Sequence, residues 1–213
     1  VTIVASFHYA SPGPGTFSGL VVVEGSPTIR GSGLQASSNS TFTVSLPAGS
    51  QAGDLAVVFF GAAYDATGTP SGWTAYADYG AGLPWWGGRI YTRTLDAGDI
   101  STGSMSVTFT SSYDAVLGIV VFAGAPTLRE SQGARDTAML TTMDITTSSS
   151  VAGTDLVICF GSTRASSSNS LTVSAGVPSL LQTADDSANA SGFLYSATTV
   201  TPASGGASYG MIL

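Results

Sequence analysis

The chain contains no lysine, and its only glutamates are Glu24 and Glu130. Exposed helix faces are built from long straight-chain residues, Lys and Glu above all, so their near absence argues against a helical protein. Charged residues make up 9% of the chain, against about a quarter in an average soluble domain. Ser, Thr, Gly and Ala take their places, interleaved with Val and Ile, which is a strand-and-turn vocabulary. An all-β fold is expected. With 213 residues, 43% of them hydrophobic, the chain is long enough to bury a core without staples.

Charge narrows the function classes. The formal net charge is −7 and every cation is an arginine, so no basic field exists to neutralise phosphates, and neither nucleic acid nor an anionic membrane surface is expected as a partner. Leu55 to Phe60 and Val116 to Ala123 are the longest apolar runs, far short of the roughly 20 residues that span a bilayer as a helix. From Val1 the amino terminus lacks a basic stretch followed by an apolar block, so no signal peptide is expected within it, which leaves open one already removed. The single cysteine, Cys159, excludes an internal disulfide, and the single histidine, His8, excludes a site built on two imidazoles.

Residues 1–40 read as an extended amino-terminal arm with its leading strands. Ser11-Pro12-Gly13-Pro14-Gly15 breaks it, and Leu20, Val21, Val22 and Val23 form an apolar run far from the regular core. These four residues are expected to associate with a neighbouring subunit by strand addition. From Thr41 short apolar stretches alternate with Gly, Ser, Asp and Pro, as in Thr41-Phe42-Thr43-Val44-Ser45-Leu46, the pattern of half-buried strands. Leu55 to Phe60 and Leu156 to Phe160 are continuous apolar runs, expected as central strands covered on both faces. Ala52-Gly53-Asp54-Leu55 is echoed by Ala152-Gly153-Thr154-Asp155-Leu156, and Gly88-Arg89-Ile90-Tyr91 by Gly192-Phe193-Leu194-Tyr195. The offset is about 100 residues. Residues 41–213 are therefore expected to form one jelly-roll-like antiparallel β-sandwich of two similar halves, about 41–123 and 140–213. The short connection Gly124-Ala125-Pro126 favours this over two separate sandwiches.

Chemistry has few carriers. His8 flanked by Phe7 and Tyr9 reads as packing, since no serine sits in a strand-turn-helix nucleophile element. Cys159, within an apolar run, reads as an inert buried thiol beside core residues Trp73, Leu55, Phe60, Leu156 and Phe160. Asp96 with Asp99, and Asp185 with Asp186, could pair as glycosidase carboxylates, but Gly- and Ala-flanked aspartates more often cap turns. These loops and Asp65-Ala66-Thr67-Gly68-Thr69 lack any ordered calcium-ligand spacing. No cofactor and no metal is expected. Trp85 and Trp86 follow Leu83-Pro84 and precede Gly87-Gly88, with Tyr79 and Tyr91 nearby. They are expected at an accessible loop tip, as a subunit interface or a sugar-stacking platform.

Four stretches carry a resemblance: Ala48-Gly49-Ser50-Gln51-Ala52-Gly53-Asp54-Leu55, Pro70-Ser71-Gly72-Trp73-Thr74, Ile90-Tyr91-Thr92-Arg93 and Val107-Thr108-Phe109. Together, over roughly residues 40–125 with a fainter echo to 213, they resemble a module of bacteriophage tail, fibre and head-decoration proteins and of some bacterial surface proteins. The resemblance implies a β-sandwich on a virion surface and carries no catalytic residue across. Expected partners are further copies of the chain, a trimer being favoured, and virion proteins such as the major capsid protein. A head-exterior decoration or cement protein is the first expectation, a tail or fibre component the second. A secreted carbohydrate-binding module that recognises host-surface glycan is the alternative, and a hydrolase is disfavoured by the lack of an activated nucleophile.

Overall fold

The structure, a computed structural model, describes residues 15–37, 41–62, 69–79, 86–108, 114–136, 142–148, 151–163, 170–173, 177–185, 191–198 and 208–212. Its strands are β1 (Thr16–Val23), β2 (Ile29–Ser37), β3 (Thr41–Ser45), β4 (Leu55–Ala62), β5 (Thr74–Tyr79), β6 (Gly87–Thr94), β7 (Ser104–Thr108) and β8 (Ala115–Phe122). They continue as β9 (Leu128–Asp136), β10 (Thr142–Thr146), β11 (Leu156–Thr163), β12 (Ser170–Val173), β13 (Val177–Asp185), β14 (Ser191–Thr198) and β15 (Ser208–Ile212). One short helix, α1 (Ala97–Thr102), is present among the described residues. The protein is an all-β antiparallel sandwich.

Two five-stranded sheets form its centre, in the orders β2-β8-β4-β6-β5 and β13-β14-β11-β1-β9. They pack face to face through Phe17, Val21, Leu55, Val57, Phe59, Val120, Ile158 and Phe160. Each sheet is covered again on its outer side. The β3–β7 pair places Phe42, Val44 and Met105 over Ala56, Val58, Phe60 and Leu117. The β10-β15-β12 layer places Ile145 near Leu20, Val22, Val157 and Cys159. Four layers result. Strands β4, β8 and β11 are buried along their whole length, because alternate side chains face two different cores. That is why their sequences are continuous apolar runs rather than alternating ones.

The halves are related by a repeat that runs around the chain ends. Strands β2, β8, β4, β6 and β5 occupy in one sheet the places of β9, β1, β11, β14 and β13 in the other. Strand β1 is thus the counterpart of β8, and Gly19-Leu20-Val21-Val22-Val23 answers Gly118-Ile119-Val120-Val121-Phe122. The following turns also match: Gly25-Ser26-Pro27-Thr28-Ile29-Arg30 and Gly124-Ala125-Pro126-Thr127-Leu128-Arg129. Each turn carries the chain from one sheet to the other, so each half receives a strand from the opposite end of the sequence.

The expected arm is corrected here. Strand β1 is hydrogen-bonded between β11 and β9, and Leu20, Val21, Val22 and Val23 are fully buried in their own chain. An arm left for a neighbour would forgo about 2 kcal/mol of burial at each of these positions. Strand β2 likewise pairs with β8. Residues 1–14, with His8, lie outside the described residues.

Candidate functional site

Each half holds the same buried clasp at the turn into its central strand. Asp54, preceding β4, accepts from the backbone N–H of Gly124 at 2.9 Å and of Gln51 at 2.8 Å. Arg30 Nε donates to it at 3.3 Å. Asp155, preceding β11, accepts from Gly25 N–H at 3.3 Å and Ala152 N–H at 2.8 Å, and pairs with Arg129 Nη1 at 2.8 Å. Gly25 and Gly124 have φ of 72° and 66°, a conformation that favours glycine. A β-bulge falls at Arg30 in one half and at Arg129 in the other, and such bulges re-aim the bulged side chain. Burial pulls the Asp54 carboxyl upward, but the two backbone donors and Arg30 outweigh it and hold its pKa below the ordinary value. These carboxylates are committed to structure rather than to proton transfer.

Asp96 caps the amino-terminal end of α1 and Asp99 lies in its first turn. Asp96 accepts from Asp99 N–H at 2.9 Å while Asp99 Oδ2 accepts from Asp96 N–H at 2.8 Å, a capping box. Arg93 donates to both, Nε to Asp99 at 2.7 Å and Nη2 to Asp96 at 3.0 Å. The N–H of Asp99, and after it that of Gly98 and Arg93, keep the Asp96 pKa low, unsuited to a general acid at neutral pH. Among the described residues no three His, Cys, Asp or Glu side chains converge as a metal site. Residues 63–68, with most of the Asp65–Thr69 loop, and Asp186 lie outside the described residues, and of Asp185 only the backbone is described.

The aromatic set divides. Trp86 is 1% exposed and its Nε1 donates to Ser162 Oγ across the two central sheets at 2.9 Å. Tyr91 is fully buried on the outer face of β6. The expectation that Trp86 and Tyr91 stand on an accessible tip is therefore corrected. The flanking glycines that suggested a loop tip instead admit neighbours: the Phe17 ring occupies the space a Cβ on Gly88 would need. Tyr79 is half-buried, stacked on Phe17 at 6.0 Å, with its hydroxyl donating to Ser131 Oγ at 2.8 Å. Trp85 lies outside the described residues. Trp73 is partly buried against the cluster under β3 and β7. Leu55, Phe60, Leu156, Cys159 and Phe160 are all buried, and burial drives the Cys159 thiol pKa far upward.

The feature that sequence reasoning passed over is a groove between β2 and the β3 segment. It encloses about 450 Å³ and is lined by Ser32–Gln35 and Thr43–Pro47. No ionisable side chain lines it, and Gln35 Oε1 lies buried there without a hydrogen-bond partner. Its one legible signal was the uncharged, glycine-bearing stretch Gly31-Ser32-Gly33-Leu34-Gln35. Comparison of the chain with family models, with curated proteins and with solved structures gives no match in any of the three.

Proposed function

We propose that the chain is a non-enzymatic structural protein of a bacteriophage virion, a decoration protein on the exterior of the head, with a tail or fibre placement as the runner-up. The observation that carries this reading is where the sparse charge goes. Arg30, Arg89, Arg93 and Arg129 are each paired with an aspartate of the same chain, so these arginines pin turns and strand ends rather than gathering into a basic patch. Arginine without lysine is the basic composition of surfaces that become buried by neighbours. A net charge of −7 suits the outside of a DNA-filled shell rather than its lining. The phage-module resemblance includes the turn that sets Asp54 and the Gly72-Trp73 step into β5. The carbohydrate-binding alternative rested on an aromatic tip, and Trp86 and Tyr91 sit in the interior instead.

The test is localisation on particles. Antibody raised against the purified chain should decorate the heads of intact virions from the phage that encodes it, and the chain should co-purify with them stoichiometrically. Tail labelling selects the runner-up. Absence from purified particles, with glycan binding by the free protein, overturns the reading.

A further inference from the structure

We propose that the groove between β2 and the β3 segment is a binding site for a neutral saccharide, with the Gln35 side-chain amide as its central hydrogen-bonding group. The inference goes beyond the virion reading and does not depend on where the chain sits.

Gln35 is the anomaly. Its Oε1 is buried and accepts no hydrogen bond. Buried carbonyls without donors are rare in folded proteins and cost stability. Nor does the fold require an amide here. Register places Gln35 of β2 opposite Leu117 of β8, and its counterpart on β9, Ala134, opposite Ser18 of β1. The repeat thus builds the same strand with alanine. A Cβ on Gly31 would meet Pro47, and one on Gly33 would meet Val44. Alternate residues of a strand share a face, so Gln35 is turned to the β3 segment as well, and it lines the groove there.

The groove is not a by-product of the architecture either. Gly31, Gly33 and Gln35 match Glu130, Gln132 and Ala134 by register, and Thr43–Pro47 matches Asp144–Ser148 in sequence. In the second half Glu130 accepts from the Ser148 N–H at 3.1 Å and from its hydroxyl at 2.7 Å. That half therefore brings two acids and a longer side chain to positions where the first has glycines and a threonine. Only the first half combines a neutral lining with a buried, unbonded amide.

Those features select the ligand. The groove encloses about 450 Å³, within the range of small-molecule sites. Among the described residues no ionisable side chain lines it, so a charged ligand would be desolvated with no counter-charge. Val44 is buried in the outer core and Leu34 packs on the central one. Both point inward and leave no side-chain pocket of the kind that gives peptide-binding grooves their specificity. The polar groups that remain are the Gln35 amide and the exposed Thr43 and Ser45, with Thr43 Oγ1 and Ser106 Oγ bonded at 2.8 Å on the rim. A sugar hydroxyl donates and accepts at one atom. It can therefore donate to the buried Gln35 oxygen and accept from a rim hydroxyl at the same time.

The experiment titrates the whole chain, isotopically labelled, with maltohexaose and xylohexaose as neutral probes and polygalacturonate as an anionic one. At least one neutral probe should bind with a Kd of about 1 mM or tighter, shifting the amide resonances of residues 31–35 and 43–47 and the Gln35 side-chain amide. Gln35→Ala, the residue the repeat carries at 134, should fold, melt no lower than the parent and bind about tenfold more weakly or worse. Thr74→Lys on exposed β5 should leave binding unchanged. No binding by either neutral probe overturns the proposal and leaves the amide to water. Binding that survives Gln35→Ala, or shifts confined to other strands, also overturns it, as does equal binding of polygalacturonate. An uncharged extended peptide that shifts the same residues where the sugars do not overturns it in favour of a peptide. Should Gln35→Ala not fold, the shifts in the unmodified chain still decide. Because binding is read on the free chain, particle labelling without sugar binding removes this site alone, and sugar binding without particle labelling removes the virion reading alone.

Discussion

Asp54 is the residue on which one half of the fold turns, and its role was half legible. The repeated Gly-Asp-Leu and Gly-Thr-Asp-Leu steps mark turns into buried strands, but not that each aspartate is closed by a glycine N–H from a distant crossover, Gly124 or Gly25. Local spacing reveals turns; it does not reveal which remote donor completes them. Asn at position 54 would aim an amide N–H at a backbone donor, so Asp54→Asn should destabilise by about 2 kcal/mol in chemical unfolding. The folded pKa is depressed, so this stabilisation is complete above the unfolded carboxylate pKa of about 4 and is lost as pH falls through the lower folded value. Thermal midpoints from pH 6 downward should fall less steeply for Asp54→Asn than for the unmodified chain; parallel curves would remove the clasp from the account. Cys159 was readable from its apolar neighbours, and it faces Leu20 across the β11–β1 pair. Thiol reagents should label it only as fast as the molecule unfolds. Rapid labelling under native conditions would show that β1 does not hold its slot.

Strand β1 shows how an element was misjudged. Leu20 to Val23 is the same kind of continuous apolar run that marked β4 and β11 as central, yet its terminal position suggested an arm. Pairing partners more than 100 residues away, Leu156–Thr163 and Leu128–Asp136, leave no local trace. Removing residues 1–24 takes the strand between β11 and β9, so the truncated chain should lose its cooperative unfolding transition. A folded truncated monomer, with unchanged circular dichroism, would restore the arm. The edge pair β5/β9 offers a subtler check. Register with the paired strand places Gly133 where β2 has Leu34, so the bulk supplied by Tyr79 at one end is supplied by Leu34 at the other. Tyr79→Ala should cost about 3 kcal/mol, and Gly133→Leu alone should be destabilising because the Tyr79 ring fills its space. The double variant should recover stability beyond additivity, measured as a double-mutant cycle. Additive losses would mean that the two ends are packed independently of the repeat.

At the scale of the whole molecule, composition sufficed for the fold class and the repeat was glimpsed, but not its phase. Matching residues 52–61 with 152–161 finds the halves, whereas the best-matched segment pairs residues 19–30 with 118–129 and so runs opposite in sense around the chain ends. A linear reading, with halves at about 41–123 and 140–213, groups β3–β8 and β10–β15 as units, and misses that each crossover, after β1 and after β8, delivers the chain to the other sheet. The consequence concerns connectivity. By the repeat, β15 stands to β1 as β7 stands to β8, and residues 109–114 span the latter gap. Joining Leu213 to Gly15 through a linker copied from residues 109–114, and opening the chain between residues 111 and 112, turns β8 into the leading strand and β1 into an internal one. Layer order, cores and both aspartate clasps are preserved in that permutant, since every strand keeps its neighbours. It should fold with the same β-type circular dichroism, retain a protected Cys159 and melt within about 5 °C of the parent, a shift corresponding to roughly 1–2 kcal/mol at this size. A control opened inside β4, between Val57 and Val58, cuts a strand buried on both faces and should not fold. If the first permutant also fails, the two-fold relation holds for the sheets but not for the path of the chain between them, and β1 occupies its slot for reasons peculiar to the amino-terminal half.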